Sequence, residues 1–343
     1  MGIGTGDQTS AATIRAQLSG LGARRVLVVG NFGNGNTGDE ALLARALGEL
    51  PVGTEVSVLS RNPRLVEWTH VVPARPMTAL SFAAGLRWCD AVLVIGGGMF
   101  GAGLPPLVRL LPRVIDAAEA AGRATTYLAI GVYPGTPARV LGRLRAAALG
   151  GRVTVRDALS ARTLGVNVPD VGDLALGLRP EPAEPAEQTL AAAGVPLDAP
   201  LLLLSLKALP DAERMAELRD TCVLATRAWR DRGGTVAALA LSTHADYGLG
   251  LTHRDAALAA DLGIGLPVVG PQLPPALAKA VVGRAAGMLG LRLHALVFAV
   301  GMGVPCAGFD WEEKSRAFLA ERGGTVLGSA AEWVDTTFAG VPA

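Results

Sequence analysis

Short apolar runs recur along the chain, and longer segments rich in Ala, Leu and Arg separate them. The first set is RVLVVG (25–30), TEVSVLS (54–60), DAVLVIGGG (90–98), ATTYLAIGV (124–132) and GRVTVRD (151–157). A second set follows: APLLLLSLK (199–207), TVAALALS (235–242), GLPVVG (265–270), AAGMLGL (285–291) and VPCAGF (304–309). Strands that are apolar at every position need cover on both faces, which a parallel sheet with crossover helices provides. The segments between the runs, such as EALLARALGEL, read as those helices. The fold class is therefore α/β. RPEPAEPAEQTLAAAGVPLDAP separates the two sets and reads as a linker or surface excursion, because it holds many prolines and few large apolar residues. Two domains are expected, 1–183 and 184–343, with one large doubly wound domain as the alternative. The sequence leaves open whether the tail AAEWVDTTFAGVPA is a last helix that packs back on the first domain.

Composition excludes several function classes. The chain of 343 residues is 50% apolar with mean hydropathy +0.38, enough for a sizeable core, while only 4% is aromatic, so Leu, Val and Ala must fill it. Net charge is +1 from 31 basic and 30 acidic residues, which lacks the basic footprint of a nucleic-acid binder. Cys89, Cys222 and Cys306 are far apart and form no zinc spacing, so they read as reduced core thiols. The first twenty residues are polar and lack the apolar core of a signal peptide. The most apolar stretch, LLLLSLKAL from Leu201, is too short for a membrane span and carries Lys207. A soluble, cytoplasmic protein is expected.

Three glycine-rich loops follow directly on strands. NFGNGNTGDE (31–40) lacks the Lys-Ser/Thr of a phosphate-binding P-loop, and its glycines do not space as GxGxxG. It brings backbone N–H groups and a helix N-terminus together, a place that favours an anion. Asp39 and Glu40 in the first helical turn complement the helix dipole, so a turn with its cap explains them as well as a site does. IGGGMFGAG (95–103), with Gly98, and AIGVYPGTP (129–137) are the other two. All three should lie on one edge of a parallel sheet, at the carboxyl ends of the strands, where ligands bind.

Charged residues at strand ends supply the remaining candidates. Arg156 ends the strand in VTVRD and either reaches that edge or pairs with a neighbouring carboxylate. Arg292 and His294 lie in the apolar segment GLRLHALVF. If the backbone there is extended, residues two apart point the same way and both enter one site. An arginine in apolar surroundings needs an anionic partner, and a ligand phosphate or carboxylate would serve. Histidine can exchange a proton near neutral pH. Lys314 is either a ligand contact or a solvated charge. His244, in STHADYG with Asp246 close by, follows a second-domain strand. No HExxH, paired-histidine or GxSxG motif is present, so hydrolase and metal readings are weak.

Four segments, taken together and in this order, resemble the polysaccharide pyruvyl transferases: GNFGNGNTGDEALL, VIGGGMF, TVRDALSARTLGV and LRLHALVFAVGMGVPCAGFDWEEKSRAFL. That family includes enzymes of cell-wall polysaccharide biosynthesis. The resemblance implies a GT-B-like fold, two Rossmann-like domains with parallel sheets facing an inter-domain cleft. It implies phosphoenolpyruvate as donor, a sugar, glycan or lipid-linked glycan as acceptor, a pyruvate ketal as product and no resident cofactor or metal. By motif, Arg156 and Arg292 are similar to the donor-binding arginines and His294 to the catalytic acid. Asn36, Gly38 and Asp39 fall in the N-terminal loop, with Asp39 as the candidate base. The family often has an arginine after the first strand of its second domain, where this chain has Lys207. A lipid-linked acceptor would bring the protein to the inner membrane face. Two other readings are a GT-B glycosyltransferase using a nucleotide sugar and a non-catalytic relative that binds an anionic metabolite.

Overall fold

The computed structural model describes residues 5–101, 116–209, 211–244 and 253–340. The chain divides into two compact units, Met1–Asn34 with Asp39–Leu178, and Gly35–Gly38 with Arg179–Ala343. The division after Leu178 precedes the proline-rich segment, and four residues of the first glycine loop group with the second unit.

The first unit is built on a parallel sheet of six strands, β1 (Arg25–Val29), β2 (Glu55–Ser60), β3 (Ala74–Pro76), β4 (Ala91–Ile95), β5 (Ala124–Ile130) and β6 (Val153–Val155). Their order is β3-β2-β1-β4-β5-β6, the doubly wound arrangement in which strand order reverses between β1 and β4. Val26–Val29 and all of β4 are buried, as strands covered on both faces must be. The core cluster joins Leu27, Val92, Val94, Tyr127 and Val153 to helix residues Leu144 and Leu164. The ladder between β5 and β6 shifts register between Tyr127 and Ile130, and Ala129 there adopts φ 49°. The Thr154 hydroxyl accepts the Ala129 N–H at 2.9 Å, which supports this bulge from the neighbouring strand.

The second unit repeats the plan. Strands β7 (Leu201–Ser205), β8 (Thr235–Leu239), β11 (Val268–Val269), β12 (Gly287–Gly290), β13 (Cys306–Gly308) and β14 (Thr325–Val326) form a sheet in the order β11-β8-β7-β12-β13-β14. A separate two-stranded antiparallel piece pairs β9 (Thr243–His244) with β10 (His253–Arg254). With that piece set aside, the order matches that of the first sheet, and strand order reverses between β7 and β12. Fully buried leucines fill this core, each worth roughly 1.5–3 kcal/mol over exposure. Trp229 anchors it, donating from Nε1 to the Pro200 carbonyl at 2.9 Å.

One expectation needs correction, and the tail, which the sequence leaves open, is resolved. The proline-rich segment is not a bare linker: Ala183–Ala192 is a helix with Ala186 and Leu190 buried. Pro182 sits at its N-cap and Pro185 in its first turn, where no intrahelical N–H is required. Buried residues four apart were enough to hold it, in spite of its polarity. The tail does form a helix, Ala330–Ala339, but it packs within the second unit. Phe338 meets Trp229 edge-on at 4.8 Å, and Trp333 and Val334 join the same core.

Candidate functional site

In the first unit the site residues follow from the strand ends. The register Val29↔Val94 sets Asn31 level with Gly96 on neighbouring strands, at the point where strand order reverses. The loop after β1 is held by its own polar groups. Asn34 Nδ2 donates to the Asn31 carbonyl at 3.0 Å, and Glu40 Oε1 accepts the Gly33 N–H at 2.7 Å. His70 Nε2 contacts the other oxygen of Glu40 at 2.8 Å, and both side chains are buried. Asp39 is buried in the first turn of helix Thr37–Glu49 and accepts from Asn31 Nδ2 at 2.7 Å.

The triple glycine closes against this turn. A Cβ at Gly96 would lie 1.8 Å from the Ala129 carbonyl oxygen, so only glycine lets β4 and β5 continue side by side here. Gly97 adopts φ 144°, and a Cβ there would meet Asp39 Oδ1 at 3.7 Å. Gly98 is exposed and under no such constraint. Along the same edge, the Gly131 N–H donates to the Gly97 carbonyl at 3.0 Å, which ties the second and third glycine loops together. A Cβ at Gly131 would lie 3.1 Å from Arg156 Nε and 2.9 Å from the Tyr133 hydroxyl. Asp39, the glycine loops, Tyr133 and Arg156 thus share one edge of the first sheet.

Arg156 is 7% exposed. Its guanidinium donates to the Tyr133 hydroxyl, meets Asp157 at 3.3 Å and lies 3.8 Å from Asp173. Burial works against its charge, but the Tyr133 oxygen and the two carboxylates outweigh it and hold the guanidinium more basic than usual. Burial pushes the Tyr133 phenol up to about 12, against the pull of Arg156. The pairing of Arg156 with a neighbouring carboxylate, one of the two sequence alternatives, is therefore met, while the side chain also stands at the C-terminal edge of the sheet. Tyr133 and Asp173 were not singled out. The YPG turn gave a signal for the first, and GDLALGL, whose aspartate caps the turn Leu174–Gly177, gave one for the second.

In the second unit, Gly290 pairs with Ser205, so Arg292 and Lys207 leave adjacent strands at the same level, again where strand order reverses. Arg292 Nε and Nη2 form a fork on Asp255 at 3.1 and 2.5 Å. Asp255 is 2% exposed and also accepts the Leu241 N–H at 3.2 Å. Burial pushes its carboxyl above the usual range, with Arg292 pulling the other way. The anion expected beside Arg292 is thus supplied by the protein itself, and HRDAAL carried no signal for it.

Lys207 pairs with Glu312, and Lys314 reaches the second oxygen of Glu312 at 3.2 Å. Burial would raise the Glu312 carboxyl, but the two lysines outweigh it and hold it below the usual value. Lys314 is therefore not simply a solvated charge. The C-terminal edge of β7, β12 and β13 carries three cations against the carboxylates of Asp255 and Glu312.

His294 differs from its expected setting. Arg292 is the N-cap of helix Leu293–Met302, so His294 is already helical and the two-residue alternation of a strand does not apply. The imidazole instead packs on Gly38, where a Cβ would lie 2.0 Å from Nδ1. Gly38 is brought there by backbone pairing. Asn36 bridges Ser242 antiparallel, the Thr243 N–H donates to the Gly35 carbonyl at 2.8 Å, and the Thr37 N–H donates to Leu241 at 2.9 Å. The Asn36 side chain accepts the Gly38 N–H at 3.1 Å, which caps the helix. His244 ends β9, its backbone paired with His253; its side chain and Asp246 lie outside the described residues. Among the described residues, no group of three or more His, Cys, Asp or Glu side chains could hold a metal ion. No helix there is long and apolar enough to cross a membrane.

Two doubly wound parallel sheets with interleaved helices, each bearing polar residues at its C-terminal edge, define a protein of the GT-B fold class. Solved structures agree. The chain is similar to UDP-GlcNAc 2-epimerase from Methanocaldococcus jannaschii, with TM-score 0.59, 13% identity, and 92% of this chain and 91% of that one covered. It is also similar to a glycosyltransferase from Rickettsia africae, with TM-score 0.53, 12% identity, and 92% and 88% covered. At these identities the likeness concerns the fold alone. No curated protein matches the sequence. The model of one family, polysaccharide pyruvyl transferase, matches residues 36–313, and the chain belongs to that family.

Proposed function

We propose that the protein transfers a pyruvyl group from phosphoenolpyruvate to two hydroxyls of a sugar or glycan, forming a ketal and releasing phosphate. Membership of the family over residues 36–313 is the observation that carries this reading. The charge pattern supports it. Phosphoenolpyruvate bears a phosphate and a carboxylate, and guanidinium forks match both anions. Arg156 and Arg292 would hold the donor, assisted by Lys207 and Lys314. Asp255 orients Arg292, and Asp157 and Asp173 orient Arg156.

In this scheme His294 delivers a proton to the methylene carbon of the enol, which leaves the adjacent carbon electrophilic. One acceptor hydroxyl adds there and gives up its proton, with Asp39 as the candidate base. A second hydroxyl attacks the same carbon, the C–O bond to phosphate breaks with its electron pair, and the departing phosphate takes up that hydroxyl's proton. No resident cofactor is used. The packing of His294 on Gly38 limits the motion of the imidazole, as a proton donor that must reach one carbon requires.

The test is incubation with phosphoenolpyruvate and candidate glycans, reading phosphate release and the mass of the glycan. Turnover should fall at least ~100-fold in His294→Gln, and Arg292→Ala should raise the phosphoenolpyruvate KM. Unchanged kinetics in both variants would remove these residues from the reaction. Two doubly wound sheets would also suit a nucleotide-sugar glycosyltransferase. Thermal stabilisation by a nucleotide sugar and not by phosphoenolpyruvate would favour that second reading.

A further inference from the structure

The first unit has a hollow of about 490 Å³ beside the N-terminal half of β2, away from the strand ends that carry Asp39 and Arg156. Glu55 and Ser57, two apart on β2, line it with Arg75 of β3, Val72, Pro73 and Trp88. Trp88 closes helix Ala79–Trp88 and also packs on the hydrophobic core, so its position is fixed. Arg75 is half-buried, and its Nε donates to Ser57 Oγ at 3.0 Å. Among the described residues, the two Nη groups of Arg75 have neither a hydrogen-bond nor an ion-pair partner. Glu55 meets Arg24 at 3.2 Å from a side chain that is 49% exposed, so its carboxylate still faces solvent.

This combination is selective. A bare inorganic anion would meet Arg75 but also the like charge of Glu55 and an apolar wall. A sugar ring fits all three. Its hydroxyls can accept from a guanidinium and donate to a carboxylate, and its C–H face can lie on the indole and proline. The size is that of a small-ligand pocket.

We propose that this hollow is a secondary glycan-binding site, which holds a sugar residue of the acceptor at a place the reaction does not use. The proposal rests on the acceptor being a glycan.

The test presents the full chain to an array of immobilised neutral-hexose, hexosamine and uronate oligosaccharides. Arg75→Gln, Trp88→Phe and Arg292→Gln are run beside it, with thermal midpoints confirming that each is folded. The wild type and Arg292→Gln should retain at least one oligosaccharide class, and Arg75→Gln should weaken that binding about tenfold or more, as loss of a charged hydrogen-bond donor does. Trp88→Phe should weaken it too. Binding of no oligosaccharide, equal binding by Arg75→Gln, or full displacement by inorganic phosphate would each overturn the site. Phosphoenolpyruvate turnover on a soluble monosaccharide or disaccharide acceptor is measured in the same variants. Turnover without array binding would sink this site and leave the transfer reaction standing, and array binding without turnover would do the reverse.

Discussion

An alanine at position 38 would set its Cβ 2.0 Å from Nδ1 and 2.7 Å from Cβ of His294, which is too close for the imidazole to step aside by a rotamer change alone. Gly38→Ala should therefore destabilise the protein by about 1–3 kcal/mol, as overpacking does, and displace His294. Gly98 was singled out on the same sequence grounds but differs in kind. It is exposed, and its Cβ would make an ordinary contact of 3.5 Å with Tyr133. Gly98→Ala should change stability by no more than about 0.5 kcal/mol. Denaturant titration of the two variants tests this contrast, and equal losses would refute it. The residue types at both sites were legible, but what each glycine touches was not, because the neighbour of Gly38 lies 256 positions along the chain.

Glu312 shows what an element boundary can do. It is the N-cap of helix Glu313–Arg322, and Lys207 arrives from the end of β7 to meet it. Since Glu312 titrates below its ordinary 4.5 in the folded protein, the unfolded chain binds its proton more tightly. The stabilisation is present above that value and is lost as pH falls through the lower, folded one. Glu312→Gln should thus flatten the acid limb of the stability curve measured by thermal unfolding between pH 6 and pH 3, a window set by that lowered value. An acid limb as steep as that of the wild type would exclude the role. Among elements, the long apolar strands were readable from sequence, since burial on both faces writes itself as an unbroken run. Ala74–Pro76 and Thr325–Val326 were not read as strands. They are edge strands of two or three residues, held by one neighbour, and carry no run long enough to register. The helix Ala183–Ala192 was missed for the opposite reason, as its prolines and glutamates mask a narrow buried stripe.

At the scale of the whole molecule, the chain crosses from one unit to the other more than once, because Gly35–Gly38 groups with Arg179–Ala343. A fragment of residues 179–343 keeps its own core but loses the backbone partner of Thr243, which donates to Gly35 at 2.8 Å. Hydrogen exchange should be faster at Thr243 in the fragment than in the full chain, with the β7 and β12 amides still protected. Equal protection at Thr243 would show that this pairing contributes nothing. The sequence by itself determined the α/β class, the two sets of strands and which residues stand at strand ends, because hydrophobic periodicity and glycine placement are local properties. It also carried the ordered motifs of the family. Only the tertiary structure decided the partners: Asp255 under Arg292, Asp173 beside Arg156, Glu312 between two lysines, and Gly38 beneath His294. Charge pairing and close approach depend on distance in space, and residues that meet after folding leave no mark on the stretch of chain between them.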